Sequence, residues 1–258
     1  LVLSFETDAI QLRCVIMLSR KQLVAAVWQR RCISTQRFRD PSTYRLYLVT
    51  DDAYLDDQFY YKVEGALRGG VTCLQLRLKQ VSTSLYVDWA YKMRQLTYQH
   101  GIPLIVDDRL DVALAVDADG LHVGGDDLPW RTARRLLGSH RILGCSTYGR
   151  PDLVSAALHP EVNADYLGSG AIFTTPTKAS EAKGMEHLPS LRQQVASEGP
   201  VPIVAIGGVD LPSAAECIRS GADGVAVVRG LLQSLGPEDS EAKAKALLSE
   251  VQLALAER

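Results

Sequence analysis

From residue 44 to the end of the chain, short apolar runs alternate with longer stretches in which apolar residues recur at helical spacing. The runs have the length of strands, and nearly every residue in them is apolar. Strands with apolar residues on both faces are typical of a parallel sheet covered by helices. The pattern predicts eight strands, at 46–50, 73–79, 103–107, 120–123, 142–146, 165–170, 202–206 and 224–228.

Each predicted strand is followed by a predicted helix. Gly69 and Gly70 close the first helix, and a further short helix opens at Gly230. Eight strand–helix units favour a closed (β/α)8 TIM barrel over an open doubly wound sheet. A dinucleotide-binding domain is disfavoured because no Gly-x-Gly-x-x-Gly follows the first strand. The main helices are predicted at 57–67, 83–99, 110–116, 129–137, 151–158, from Leu188 onward, at 212–220, and from Glu238 to the end.

The first 43 residues differ from the rest, and we predict a helical N-terminal extension at 1–43 followed by a barrel domain at 44–258. Apolar residues at 9–29 have helical spacing. The segment is basic and lacks glycine, but Glu6 and Asp8 weaken its interpretation as a transit peptide. Two interpretations of this segment remain open. It could be an extension that packs on the outside or bottom of the barrel, or the tail of a lost upstream domain.

Composition narrows the functional class. The net charge of -2 gives no electrostatic case for nucleic acid or an anionic membrane, and no apolar run reaches the length of a membrane span. Five cysteines are scattered without metal-binding spacing, which predicts reduced thiols in a cytoplasmic compartment. The sequence therefore favours small-molecule substrates, and it leaves a homo-oligomer open.

In barrels of this type, chemistry lies at the C-terminal ends of the strands. In the second strand Gln75, Arg77 and Lys79 alternate with leucines, so the three polar side chains share one face, which we predict to point into the barrel. Two cations buried there would require an anionic partner, and we expect an anionic substrate. The alternative is that these are ordinary polar residues at a solvated strand end.

Carboxylates follow the next two strands. Asp107 and Asp108 end the third strand and Asp127 follows the fourth. Neighbouring parallel strands bring such side chains together, and carboxylate oxygens completed by phosphate oxygens are how proteins hold Mg²⁺. Either Asp107 or Asp108 could instead cap the following helix. For His122, inside the fourth strand, a hydrogen-bonded core role is favoured over a catalytic one.

The later strands end in features that suit phosphate. Ser146 ends the fifth strand. A long loop at 171–187, with Thr175, Thr177 and Lys178, suits phosphate binding and a mobile lid, although a merely solvated loop is the alternative.

Glycines follow the last two strands, at Gly207, Gly208 and Gly230. Backbone amides freed by glycine in these two loops form the recurrent phosphate site of the fold. This feature predicts a ligand group and does not by itself predict a reaction.

Taken together, these segments resemble the thiamine phosphate synthase family. The matching pieces occur in family order, and as a set they are highly specific. They are YLVTD (47–51), GVTCLQLRLK (70–79), DDR (107–109), ADGLHVG (118–124), DLP (127–129), ADYLG (164–168), IFTTPTK (172–178), AIGGV (205–209) and GADGVAV (221–227).

The resemblance implies a transferase that joins 4-amino-2-methyl-5-hydroxymethylpyrimidine diphosphate to a thiazole phosphate and releases pyrophosphate by a dissociative mechanism. Mg²⁺ would be held by Asp108 and Asp127 and would neutralise the leaving group. Gln75 would face the pyrimidine. The pyrophosphate would meet Arg77, Lys79, Lys178, Ser146 and Asp107, and the thiazole phosphate would meet Thr175, Thr177 and the backbone amides of Gly208, Val228 and Arg229.

The chain departs from the family pattern at three positions. The family usually has Asn where this chain has Asp107, Glu at Leu78 and Ser at Arg229. A carboxylate at 107 should repel a diphosphate unless it binds metal or is protonated. Leu78 faces away from the barrel interior, and Arg229 is tolerated if only its backbone amide contacts phosphate.

Three rivals remain on the same fold. A thiazole tautomerase would not need the two metal-site aspartates or the cations of strand two. An isomerase would need an acid and a base, for which Asp107 and Cys145 are weak candidates. A non-catalytic sensor of thiamine phosphate is motivated only by the residues at 107 and 229.

Overall fold

The computed structural model of the chain describes residues 38–175 and 182–258. Its eight parallel strands close into one barrel in sequence order, each strand pairing with the next and β8 pairing with β1. The (β/α)8 barrel predicted from the sequence is therefore confirmed. The strands are β1 (Leu46–Val49), β2 (Cys73–Leu76), β3 (Leu104–Asp107), β4 (Gly120–Val123), β5 (Ile142–Ser146), β6 (Tyr166–Ser169), β7 (Ile203–Ile206) and β8 (Gly224–Val227).

Helices follow the strands and cover the outside of the barrel. The two longest are the second and the last, and a one-turn helix follows β8 directly. The helices are α1 (Phe59–Arg68), α2 (Thr83–His100), α3 (Leu110–Ala115), α4 (Trp130–Leu137), α5 (Pro151–Leu158), α6 (Leu188–Glu198), α7 (Leu211–Arg219), α8 (Arg229–Leu232) and α9 (Pro237–Ala256).

The second strand is shorter than the sequence predicts. It ends at Leu76, and beyond this point side chains take over the hydrogen bonds of the ladder. The hydroxyl of Thr50 accepts from the backbone N–H of Arg77 at 2.9 Å, and the carboxylate of Asp52 accepts from the N–H of Lys79 at 3.1 Å. The predicted alternation still holds, because Leu74, Leu76 and Leu78 are all buried in the core outside the barrel.

A repeated contact ties the bottom of the barrel together. An aspartate immediately before β4, β6 and β8 accepts the backbone N–H of a residue near the start of the preceding strand. These bonds are Leu104 N to Asp119, Leu143 N to Asp165 and Ile203 N to Asp223, each 2.8 Å long. Thr72 does the same for Leu46 before β2, at 3.1 Å.

Each of these aspartates also binds an arginine from the helix that leads into the preceding strand. Arg94 of α2 binds Asp119 at 2.8 Å and Arg134 of α4 binds Asp165 at 2.7 Å, and Arg192 of α6 binds Asp223. One structural unit, used three times, therefore stabilises the bottom of the barrel, and the chemistry of this fold lies at the opposite face.

A 3-10 helix, Pro41–Tyr44, leads into β1, and the side chain of Asp40 accepts from the backbone N–H of Ser42 at 2.9 Å at its start. Most of the extension predicted at 1–43 lies outside the described residues, so the division into extension and barrel stays a prediction. Across 38–175 and 182–258, no helix is long and apolar enough to cross a membrane.

Candidate active site

A cavity of about 430 Å³ opens at the C-terminal ends of the strands. All of the predicted site residues that lie within the described ranges line it. They are Gln75, Arg77, Lys79, Asp107, Asp108, Asp127, Ser146, Thr175, Gly208, Val228 and Arg229. Thr177 and Lys178 lie outside the described residues.

At the floor of the cavity, Gln75 points inward from β2 as predicted, and it is buried. Its amide Nε2 donates to the hydroxyl of Tyr47 at 3.0 Å. That hydroxyl lies 2.8 Å from the hydroxyl of Tyr166. Burial raises the pKa of both phenols well above the usual value, so both keep their protons.

His122 makes two side-chain contacts, of which the sequence predicted only one. Its Nδ1 lies 2.8 Å from the hydroxyl of Tyr166, which is the hydrogen-bonded core role that was expected. Its Nε2 lies 2.9 Å from the hydroxyl of Ser146, and His122 itself lines the cavity. His122 therefore joins the buried tyrosines to the cavity wall. Spacing in the sequence gave no sign of this, because the contact is made across three strands.

Arg77 is held between two carboxylates. Its Nη1 donates to Asp51 at 2.5 Å, and its Nε lies 3.7 Å from Asp107. Asp51 also accepts from the backbone N–H of Ala53 at 2.9 Å, which fixes its side chain. Asp51 ends one of the family motifs, but its place in the sequence predicts no role for it. In the structure it orients the guanidinium.

Lys79 lies between Asp107 and Asp108. Its Nζ is 3.2 Å from the carboxylate of Asp107 and also donates to Asp108. Asp108 has a φ of 55°, in the left-handed region that aspartate tolerates better than most side chains. The expected repulsion between Asp107 and a diphosphate is therefore offset in this chain by ion pairs with both neighbouring cations.

Asp127 reaches the cavity from the loop after β4. Its carboxylate accepts from the backbone N–H of Gly124 at 3.1 Å. A Cβ at Gly124 would lie 2.6 Å from that carboxylate and 3.1 Å from the hydroxyl of Tyr148. Glycine at 124 thus leaves room for the side chains of Asp127 and Tyr148 beside its Cα.

The opposite wall of the cavity is formed by the loops after β7 and β8. Gly207 and Gly208 both have positive φ, 98° and 67°. A Cβ at Gly208 would lie 2.7 Å from the Cβ of Phe173, so glycine lets the loop after β7 pack against the loop after β6. The short helix after β8 begins at Arg229, one residue before the predicted start.

Lys243 of α9 also lines the cavity, and α9 packs against α8, the short helix that begins at Arg229. Its Nζ is held by Asp239 one helical turn earlier, at 2.8 Å. Lys243 could not be predicted from the sequence, because the hydrophobic pattern of a helix indicates which face packs and does not indicate which part of the chain lies beside it. No signal within the sequence singled it out.

The charges are distributed unevenly along the cavity. Asp107, Asp108 and Asp127 outnumber Arg77 and Lys79 on the β2–β4 side. On the β7–β8 side, the lining residues include two cations, Arg229 and Lys243, and one carboxylate, Asp210. A ligand with a cation at one end and a phosphate at the other matches this distribution.

Comparison with known proteins identifies the family to which the chain is similar. The family model for thiamine monophosphate synthase matches residues 46–231. A thiamine-phosphate synthase from Chloroflexus aurantiacus is 43% identical over 212 residues, covering 81% of this chain and 94% of the relative. One from Clostridium acetobutylicum is 42% identical over 194 residues, covering 74% and 88%.

A solved structure is also similar. The thiamine phosphate pyrophosphorylase from Pyrococcus furiosus has a TM-score of 0.72 and 32% sequence identity, covering 83% of this chain and 98% of that one. The resemblance drawn from the motifs is therefore confirmed by matches that span the barrel. The chain belongs to the thiamine-phosphate synthase family of transferases.

Proposed function

We propose that this chain joins a pyrimidine diphosphate to a thiazole phosphate with release of pyrophosphate, assisted by Mg²⁺. The observation that carries the proposal is the charge distribution of one cavity. Carboxylates and two cations line its β2–β4 side, and glycine-rich loops with further cations line its β7–β8 side. A diphosphate with its metal suits the first side, and a monophosphate suits the second.

The donor set fits Mg²⁺. Asp108 and Asp127 follow neighbouring strands and line the same cavity with hard oxygen ligands. Within the described part of the chain, no group of three or more His, Cys, Asp or Glu side chains could hold a metal unaided. Mg²⁺ commonly takes one or two protein carboxylates and completes its shell with phosphate oxygens and water. Bound there, it would supply positive charge against the leaving pyrophosphate.

The cations of β2 suit the diphosphate. Arg77 is oriented by Asp51 and presents a planar fork that matches phosphate oxygens. Lys79 has a side chain that is 40% exposed on a flexible stem. Its ammonium can therefore move from Asp108 to a phosphate oxygen when a metal takes that carboxylate. Ser146, and Lys178 beyond the described residues, would add donors.

The reaction itself requires little covalent participation by the protein. The bond between the pyrimidine methylene carbon and the diphosphate oxygen breaks, and the electron pair leaves with pyrophosphate. The thiazole nitrogen lone pair then forms the new bond to the pyrimidine cation. Gln75 would hold the pyrimidine, and the remaining work is electrostatic stabilisation and positioning.

At the other side, Thr175 and the backbone amides of Gly208, Val228 and Arg229 would hold the thiazole phosphate, with Thr177 as a further donor. We propose small-molecule partners only and a cytoplasmic location. In support, the three cysteines within the described ranges, Cys73, Cys145 and Cys217, are free and buried.

The test is pyrophosphate release from the two substrates, measured with Mg²⁺ and after its removal by EDTA. We expect release that depends on Mg²⁺ and falls by at least about a hundredfold in Asp127→Ala, because the leaving group loses its charge compensation. The matched control is Asp126→Ala. Asp126 is the adjacent exposed aspartate and is not among the residues lining the cavity.

Two outcomes would contradict different parts of the proposal. Unchanged release in Asp127→Ala would remove the metal assignment and leave the reaction standing. No release from the wild type with both substrates and Mg²⁺ would overturn the reaction and favour a tautomerase or a sensor.

A further inference from the structure

A single file of hydrogen bonds crosses the inside of the barrel and has both ends at the cavity. It runs from Gln75 through the hydroxyls of Tyr47 and Tyr166 to His122 and then to Ser146. Its four links measure 3.0, 2.8, 2.8 and 2.9 Å. Only the two tyrosines lie away from the cavity lining.

Each hydroxyl in this file carries one hydrogen and can donate once. The amide of Gln75 donates into the oxygen of Tyr47. If Tyr166 also donated to Tyr47, the described residues would offer no strong acceptor to the hydrogen of Tyr47, which is costly for a buried group. Tyr47 therefore donates to Tyr166.

The thiol of Cys73 is a further polar group beside Tyr47, and it does not change this assignment. Burial raises the pKa of the Cys73 thiol well above its usual value, and a hydrogen bond with Tyr47 opposes part of that rise. The thiol thus keeps its proton, and protonated sulfur is a weak acceptor. The phenolic oxygen of Tyr166 is the better acceptor for the Tyr47 hydrogen.

The direction then propagates to the cavity. Tyr166 accepts from Tyr47, so its own hydrogen goes to Nδ1 of His122. A neutral imidazole that accepts at Nδ1 carries its hydrogen on Nε2, and that hydrogen is donated to the oxygen of Ser146. Ser146 consequently does not have to give its hydrogen to His122.

We propose that Tyr166 and Tyr47 are positioning residues whose one-way hydrogen bonds leave Ser146 as a donor to an anionic oxygen in the cavity. The reverse direction would oblige Ser146 to donate to His122 and present only lone pairs to a phosphate. This inference rests on the proposed placement of the diphosphate at Ser146, and it links that side of the cavity to Gln75 at the other end of the file.

Two glycines make room for the file. A Cβ at Gly144 would lie 2.1 Å from Cζ of Tyr166, and a Cβ at Gly168 would lie 3.2 Å from Cε1 of His122. The rings of His122 and Tyr166 are stacked with centroids 5.5 Å apart. The two rings are thus held by the backbone around them as well as by their hydrogen bond.

The first measurement is the tautomer of His122 in the wild-type protein, read from its ¹⁵N chemical shifts. Hydrogen on Nε2 alone is expected. Hydrogen on Nδ1, whether alone or in a doubly protonated ring, would overturn the proposal because Tyr166 could then not donate to it. This experiment needs no variant and does not depend on the proposed reaction.

The second measurement is the affinity for inorganic pyrophosphate with Mg²⁺, by calorimetry. Tyr166→Phe should weaken binding about fivefold, the effect of losing one neutral hydrogen bond. Tyr44→Phe is the matched control. Tyr44 is also buried, and its ring centroid lies 4.5 Å from that of Tyr166. Its hydroxyl is not part of the file, because it donates to the backbone carbonyl of Phe38 at 2.7 Å. The control should bind pyrophosphate as the wild type does.

A double-mutant cycle separates positioning from general damage. In the Ser146→Ala background, Tyr166→Phe should cause no further loss of pyrophosphate affinity. An equal loss in both backgrounds would overturn the proposal. If Tyr166→Phe fails to fold, Tyr47→Phe repeats the cycle one link further away. A wild type that binds no pyrophosphate would instead contradict the proposed function.

Discussion

The ammonium of Lys79 lies 3.2 Å from the carboxylate of Asp107, inside the cavity. The same carboxylate is 3.7 Å from the guanidinium of Arg77. In the family, an asparagine is usual at this position. The carboxylate thus holds two cations that the proposed reaction would use on the diphosphate.

Asp107→Asn should keep or raise activity. Asparagine has nearly the same shape and removes one negative charge, so Arg77 and Lys79 gain freedom to bind the diphosphate. We expect the KM for the pyrimidine diphosphate to fall by about three- to tenfold, since charge-assisted bonds are strengthened. Steady-state kinetics with that substrate varied would measure it.

Asp111→Asn is the control for this substitution, because Asp111 is 60% exposed in an ion pair with Arg109 and is not among the cavity-lining residues. A loss of kcat/KM greater than about tenfold in Asp107→Asn, roughly 1.4 kcal/mol of barrier, would contradict the expectation. It would mean that Asp107 is a ligand in its own right.

Lys243→Gln should weaken binding of the thiazole phosphate. The residue lines the cavity on its β7–β8 side and brings a positive charge there from α9. Because the side chain is partly exposed, we expect a modest rise of about two- to fivefold in KM for that substrate. The value of kcat should change little, and the effect should shrink at high salt.

The same helix supplies the matched comparison. Lys245 pairs with Glu241 as Lys243 pairs with Asp239, each across one helical turn, but Lys245 is not a lining residue. Lys245→Gln should therefore leave both KM values unchanged. Equal effects of the two substitutions would show that only the charge of the helix matters.

Much of the fold could be predicted because it depends on local patterns. The strands at 120–123 and 142–146 and the helix at 151–158 have their predicted bounds. β2 was wrong by three residues, because Thr50 and Asp52 satisfy the backbone of Arg77 and Lys79 from another loop. Such bonds between side chain and backbone cannot be seen from the alternation of apolar residues.

The candidate site could be predicted where one rule applied, namely that polar residues at strand ends meet at one face of the barrel. The rule found Gln75, Arg77, Asp108 and Ser146 among others, and all line the cavity. It could not find Lys243, whose position depends on helix packing. The rule also could not predict that His122 contacts both the core and the cavity. Those contacts depend on how side chains from β4, β5 and β6 meet inside the barrel.

The arginine–aspartate contacts at the barrel bottom should contribute strongly to stability. Asp165 accepts from Arg134 at 2.7 Å and from the backbone N–H of Leu143 at 2.8 Å. Arg134, whose side chain is only 11% exposed, also donates to four backbone carbonyls. Asp165→Ala therefore removes the carboxylate that balances its charge and leaves a strand N–H without its acceptor. We expect a loss of about 3–5 kcal/mol in the free energy of unfolding, measured by urea denaturation.

Asp152→Ala is the control for the barrel bottom. Asp152 also pairs with an arginine, Arg150, but its side chain is 63% exposed. Solvent and salt screen such pairs, so the midpoint of unfolding should not move measurably. If the two substitutions had the same effect, the buried contact of Asp165 would add no more stability than an exposed ion pair.

His187 should make the stability of the fold depend on pH. It precedes α6 and its Nε2 lies 2.7 Å from the hydroxyl of the buried Ser169. Burial lowers the pKa of His187 below its usual value of 6.5, with the neighbouring Lys183 acting in the same direction and Gly184 and Glu186 opposing it. The folded state therefore binds this proton less readily than the unfolded chain does.

The stability that depends on neutral His187 is present above a pH of 6.5 and is lost as the pH falls through the lower, folded-state pKa. We expect the Tm of the wild type to fall more steeply than that of His187→Gln on going from about pH 7.5 to about pH 5. His159→Gln, at a histidine whose side chain is 44% exposed, should follow the wild-type curve. Parallel curves for wild type and His187→Gln would contradict the assignment, because the proton taken up on unfolding would then belong to another group.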